Sequence, residues 1–182
     1  MKCGECLRNP PAFDATVVAA DYVPPLDHLV LALKFGNRLA LAPLCASLLR
    51  HALQRGPGVP LPEVLTAVPL GAQRLRERGF NQSLEIGKPL SRELGIRLDA
   101  RLVFRQRETQ AQSLLPPDER RKNMRNAFMV HGDAIDWVRG RHIGVVDDVI
   151  TTGETLGELA ATLKRFGATR VTNLVFARAL QK

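Results

Sequence analysis

The sequence predicts an α/β fold: a doubly wound, mostly parallel sheet with a small N-terminal addition. Short apolar runs recur with helix-period segments between them, and the run at 143–146 passes through a tight loop into an amphipathic helix. A Gly- and Pro-rich stretch at 54–62 (QRGPGVPLP) separates the start of the chain from the rest. Alternating strands and helices favour parallel pairing, with any ligand at the C-terminal edge of the strands. The 182 residues suffice for one α/β domain, expected over 56–182, and an N-terminal addition over 1–55.

Residues 144–156 read GVVDDVITTGETL. The preceding apolar residues suit a buried parallel strand. Leu156, Leu159, Ala160, Leu163 and Phe166 then fall on one helix face. A helix N-terminus, Gly153 and the hydroxyls of Thr151, Thr152 and Thr155 together suit a phosphate. Asp147 and Asp148 at the strand end can accept hydrogen bonds from the two hydroxyls of a ribose, or steady a hard cation through water. A sugar carrying a 5′-phosphate satisfies both halves. The competing reading is a Thr-rich helix cap beside two solvated acids. It is disfavoured because unpaired carboxylates in an apolar strand are costly.

Taken in order, the chain opens with Cys3 and Cys6, a C-x-x-C pair that supplies half of a zinc-binding set. Cys45, alone in an apolar stretch, reads as a core residue. Residues 13–22 read as a strand ended by Pro24 and Pro25. Residues 26–51 read as helical with a turn near Gly36 and Asn37, where Lys34 could reach a phosphate site. Residues 64–70 (VLTAVPL) form the first central strand, followed by Gly71 and an arginine-rich segment suited to a second anion. Residues 81–94 continue as helix, with Pro89 as an expected kink. A basic, polar hairpin over 105–125 joins short strands near 103 and 126–131, and it has the character of a mobile lid. Gly167 ends the helix after the phosphate loop, and 169–177 form a last strand.

The formal net charge of +8 attracts polyanions, either nucleic acid or a small phosphorylated substrate. Seven Phe, one Tyr and one Trp supply few platforms for stacking single-stranded bases. Three cysteines do not make a disulfide framework. No apolar stretch is long enough to span a bilayer and no signal peptide is visible, so a cytoplasmic location is expected. Apolar helical surface over 26–53 makes a homodimer plausible.

The stretch VVDDVITTGET resembles the motif by which type I phosphoribosyltransferases bind 5-phosphoribosyl 1-pyrophosphate (PRPP). Val68-Pro69-Leu70, Arg74 and Arg78-Gly79-Phe80-Asn81-Gln82 resemble a signature of the ComF/GntX family of phosphoribosyltransferase-like proteins. Arg107, Thr109, Gln112, Leu114, Leu115, Arg120, Asn123, Ala127 and Phe128 resemble a further stretch of that family, as do Cys3, Cys6, Lys34 and Phe35. Family members commonly carry two C-x-x-C pairs suited to one zinc, and this chain starts at what looks like the second. That departure implies either a start upstream of Met1 or a lost finger, with Zn²⁺ bound only if a second pair is supplied.

The resemblance implies transfer of ribose 5-phosphate from PRPP to a nitrogen acceptor, with Mg²⁺ as cofactor and pyrophosphate released. On this reading Asp147 and Asp148 hold the ribose hydroxyls and approach Mg²⁺, directly or through water. Thr151, Thr152, Gly153, Glu154 and Thr155 hold the 5′-phosphate. Pro69, Leu70, Gly71 and Arg74 face pyrophosphate, and Arg107 and Arg120 are the lid cations expected to assist catalysis. The alternative is a non-catalytic PRPP-binding or DNA-binding adaptor in competence and DNA uptake, with single-stranded DNA, a helicase-like ATPase and DNA-processing proteins as partners.

Overall fold

A computed structural model describes residues 10–55, 58–106 and 126–179. Two long strands form its centre. β6 (His142–Ile150) and β7 (Arg170–Arg178) are rich in Val and buried along almost their whole length, as a strand covered on both faces must be. They pair in parallel, with Gly144 opposite Thr172 and Asp147 opposite Val175. β2 (Val64–Ala67) lies on the other side of β6, and the two-residue β3 (Arg97–Leu98) lies beyond it. β1 (Ala15–Asp21) pairs with β7 at the opposite edge. The sheet order is β1-β7-β6-β2-β3, parallel throughout. The expected mostly parallel α/β sheet is therefore present.

Alternate strand residues serve two cores, as the twofold period of a strand requires. Val145, Val171 and Val175 pack with α6 (Glu154–Arg165) through Leu156, Leu159 and Leu163. The antiparallel ribbon of β4 (Val103–Arg105) and β5 (Phe128–Val130) covers the same side through Val103, Phe128 and Val130. Val146, Leu174 and Phe176 face the other way. They meet α1 (Leu26–Phe35), α2 (Ala42–Arg55) and α4 (Gln82–Leu94) through Leu33, Leu49, Ile86 and Leu90. Cys45 is fully buried in this second core, and burial pushes its thiol up to about 11.

Several boundaries differ from expectation for local reasons. The first central strand ends at Ala67 rather than residue 70, because Pro69 has no N–H to continue the ladder. The helical stretch over 26–51 is two helices joined by a 3₁₀ turn, Leu39–Leu41. Pro89 lies inside α4, which continues as one helical segment to Leu94. The short strand β3 and the one-turn helix α5 (Ile135–Val138) carry too little periodicity to be read from sequence. α3 (Ala72–Arg78) completes the set between β2 and α4. The boundary expected at residue 55 falls at the end of α2, while β1 before it is an edge strand of the main sheet.

Candidate functional site

Strand β6 delivers two acids to the C-terminal edge of the sheet, and the chain then turns through 151–153 into α6. Gly153 makes the turn in the left-handed region, at φ +83, where a side chain would be strained. Among the described residues, the Gly153 N-cap supplies no side-chain cap to α6, and the N-terminal turn of a helix is where an anion is favoured. Residues 147 and 149–156 line a polar hollow of about 70 Å³ at this turn. Thr151 and Thr152 are exposed beside it. A buried carboxylate oxygen of Glu154 has no hydrogen-bond partner among the described residues. Hydroxyls, glycine backbone and a helix N-terminus thus surround one small space, the arrangement that binds a phosphate.

The neighbouring strand supplies a second wall. Thr66 and Ala67 of β2 lie beside Val145 and Val146 of β6, so the loop 68–71 leaves the sheet next to Asp147. It leads into α3, which closes at Gly79 in the left-handed conformation. Asn81 then does two jobs. Its side-chain oxygen accepts the N–H of Ser83 at 3.0 Å and of Leu84 at 3.4 Å, capping α4. Its amide donates to the Val68 carbonyl at 2.9 Å, tying α4 to the end of β2. Arg78 donates to the buried Gln82 side chain. Ser83, almost fully buried, donates its hydroxyl to Asp147 Oδ1 at 2.9 Å. The RGFNQS run therefore joins the two loops.

The paired acids sit in different surroundings. Asp148 is 4% exposed, and its Oδ2 lies 3.0 Å from the Lys34 ammonium at the end of α1. Asp147 Oδ1 accepts both Ser83 and the Asp148 backbone N–H. Burial, followed by the adjacent Asp148 charge, pushes the Asp147 carboxyl up to about 7, against the Ser83 hydrogen bond. Beyond Lys34 opens a cleft of about 590 Å³ lined by Lys34, Phe35, Arg74, Arg78, Glu77 and Phe80, together with Asn37. Arg78 stacks over Phe35 at 5.3 Å.

The structure thus brings together Asp147, Thr151, Thr152, Gly153, Glu154 and Thr155 around one hollow, with 69–71 on the adjacent strand's exit, while Asp148 turns to Lys34. Arg74 lies in the cleft that Lys34 shares. Arg107, Arg120, Cys3 and Cys6 lie outside the described residues. Sequence reasoning missed Ser83. An Asn before a helix-period run signals an N-cap, and that signal places Ser83 in the first turn of α4, while its contact with Asp147 depends on how the helix packs. Among the described residues no three His, Cys, Asp or Glu side chains converge on one point. A divalent cation bound directly to Asp148 does not fit this donor set, because the Lys34 ammonium already holds the buried oxygen.

These features define a class. The family model described as the phosphoribosyl transferase domain matches residues 81–182, and the chain belongs to that family. It is 41% identical over 184 residues to "DNA utilization protein YhgH" of Escherichia coli K12, covering 99% of this chain and 79% of the relative. It is 35% identical over 180 residues to "Competence protein F" of Haemophilus influenzae, covering 97% and 78%. Within the phosphoribosyl transferase family the chain is a member of the ComF group. Among solved structures, the glutamine PRPP amidotransferase of B. subtilis shares 20% identity at a TM-score of 0.45; the match covers 75% of this chain and 25% of that one. The adenine phosphoribosyltransferase of Thermoanaerobacter pseudethanolicus shares 17% at a TM-score of 0.45, covering 80% and 72%. No helix among the described residues is long and apolar enough to cross a membrane.

Proposed function

We propose that the chain binds PRPP, or another ribose 5-phosphate compound, at the turn after β6 and transfers ribose 5-phosphate to a nitrogen acceptor with release of pyrophosphate. The observation that carries this reading is the joint placement of two acids and a phosphate-sized hollow on one strand–turn–helix unit. Thr151, Thr152 and Thr155, with the N–H groups that open α6, hold the 5′-phosphate. Asp147 and Asp148 accept the ribose hydroxyls, and Ser83 and Lys34 keep those carboxylates oriented. The 68–71 exit and Arg74 face the pyrophosphate, whose oxygens bring Mg²⁺ with them. Mg²⁺ so bound would neutralise charge developing on the leaving pyrophosphate. The chain's own part is positioning and electrostatic stabilisation of the separating charges. Arg107 and Arg120 are proposed as lid cations, and zinc at Cys3 and Cys6 as dependent on a second cysteine pair.

The test is pyrophosphate release from PRPP across a panel of nitrogen bases. Release with one class of base, lost in Asp147→Asn, supports transfer. A second reading draws on the names of the relatives: a DNA-handling adaptor that keeps the sugar-phosphate site without turnover. It predicts binding of PRPP with no pyrophosphate release from any base, together with DNA binding that weakens steeply with salt.

A further inference from the structure

We infer that Lys34 is a positioning residue of this site, an internal cation that takes the place of a divalent metal at the acidic pair. The inference rests on the sugar-phosphate reading above for its ligand arm alone. Lys34 Nζ lies 3.0 Å from Asp148 Oδ2, with side chains 22% and 5% exposed. That oxygen has no aligned hydrogen-bond donor among the described residues, so the ammonium is its charge partner. Two adjacent acids out of water require a counter-charge, since an uncompensated buried carboxylate is expensive. Here the counter-charge comes from the first described helix, outside the span that the family model matches.

The local fold aims this lysine. α1 stops directly after Phe35, and a Cβ on Gly36 would lie 2.8 Å from the Ala32 carbonyl oxygen and 3.2 Å from its Cα. Glycine therefore allows the helix to end one residue past Lys34. Leu33 on the same turn is buried in the core, which fixes the rotation of the helix and sends Lys34 to the strand ends. Arg78 also feels the Asp148 charge, but it is committed to Gln82 and Phe35.

If Lys34 is the resident cation, a ligand with the ribose hydroxyls and 5′-phosphate but no pyrophosphate binds without metal. Ribose 5-phosphate is that probe, titrated into the full chain in EDTA and in Mg²⁺. The unaltered protein and Lys34→Arg should bind with little difference between the two conditions. Lys34→Met should lose about tenfold or more in EDTA, the cost of stranding a buried charge, and recover in Mg²⁺. Equal binding by Lys34→Met in EDTA, or a metal requirement in the unaltered protein, overturns the inference. Melting of the unliganded protein tests the pairing independently. Lys34→Met should lower the midpoint, and adding Asp148→Asn should restore most of it; additive losses overturn the pairing. Failure of ribose 5-phosphate to bind any of the proteins removes the sugar-phosphate reading and with it the ligand role, while the melting arm still decides whether Lys34 neutralises Asp148.

Discussion

Asn81 should be the residue whose loss most directly uncouples the two loops. Replacing it with Ala removes an N-cap that accepts two backbone N–H groups and a 2.9 Å bond to the Val68 carbonyl. A lost cap costs about 1 kcal/mol and a lost part-buried hydrogen bond about 1 more, so Asn81→Ala should destabilise by roughly 2 kcal/mol. For a chain of this length that is a fall of about 4–8 °C in melting temperature. Asn81→Asp separates the terms, since the carboxylate still caps α4 but cannot donate to Val68. It should lose about half as much. Differential scanning fluorimetry of both variants reads the ladder. Unchanged melting in Asn81→Ala would refute the capping and tethering argument, and equal losses in both variants would show that the cap contributes nothing. Because Ser83 rides on the first turn of α4, Asn81→Ala should also weaken PRPP binding without altering any group that touches it.

Other outcomes follow from the same geometry. Gly153→Ala has room for its methyl, the nearest atom being Ile150 Cδ1 at 3.5 Å, but φ is +83. It should cost about 1–2 kcal/mol and weaken phosphate binding; calorimetry showing wild-type affinity would contradict the cradle. Asp147 has a folded pKa of about 7 against an ordinary 3.8, so the folded chain holds this proton more tightly than the unfolded one. Its contribution to stability is present in full below pH 4 and is lost as pH rises to about 7. Melting temperatures of the unaltered protein and Asp147→Asn should therefore converge at low pH and diverge in favour of Asn at neutral pH; parallel curves would remove the raised pKa.

The strand–turn–helix at 144–156 was legible because its chemistry is local. Acids, hydroxyls and glycine fall within one stretch, and backbone geometry does the rest. The parallel sheet was legible because β6 and β7 carry β-branched apolar residues, Ile143, Val145, Val146, Val171 and Val175, in short stretches on either side of a helix-period segment. Ser83 and Lys34 were harder, since each reaches the acids across a long sequence separation that only the packing of α1 and α4 closes. Lys34 at a helix end is a signal of access to a site, but its partner depends on how Leu33 seats the helix. β3 is too short for any period, and the place of β1 in the main sheet depends on pairing with β7, the last described strand.

The most direct test of the central claim is calorimetric titration of PRPP with Mg²⁺ into the full chain, alongside the Asp147→Asn/Asp148→Asn double variant. Saturable one-site binding by the unaltered protein, lost in a double variant that still melts cooperatively, is the predicted result. No binding by the unaltered protein, or equal binding by the double variant, would contradict the assignment of the acids and the turn after β6 as a sugar-phosphate site.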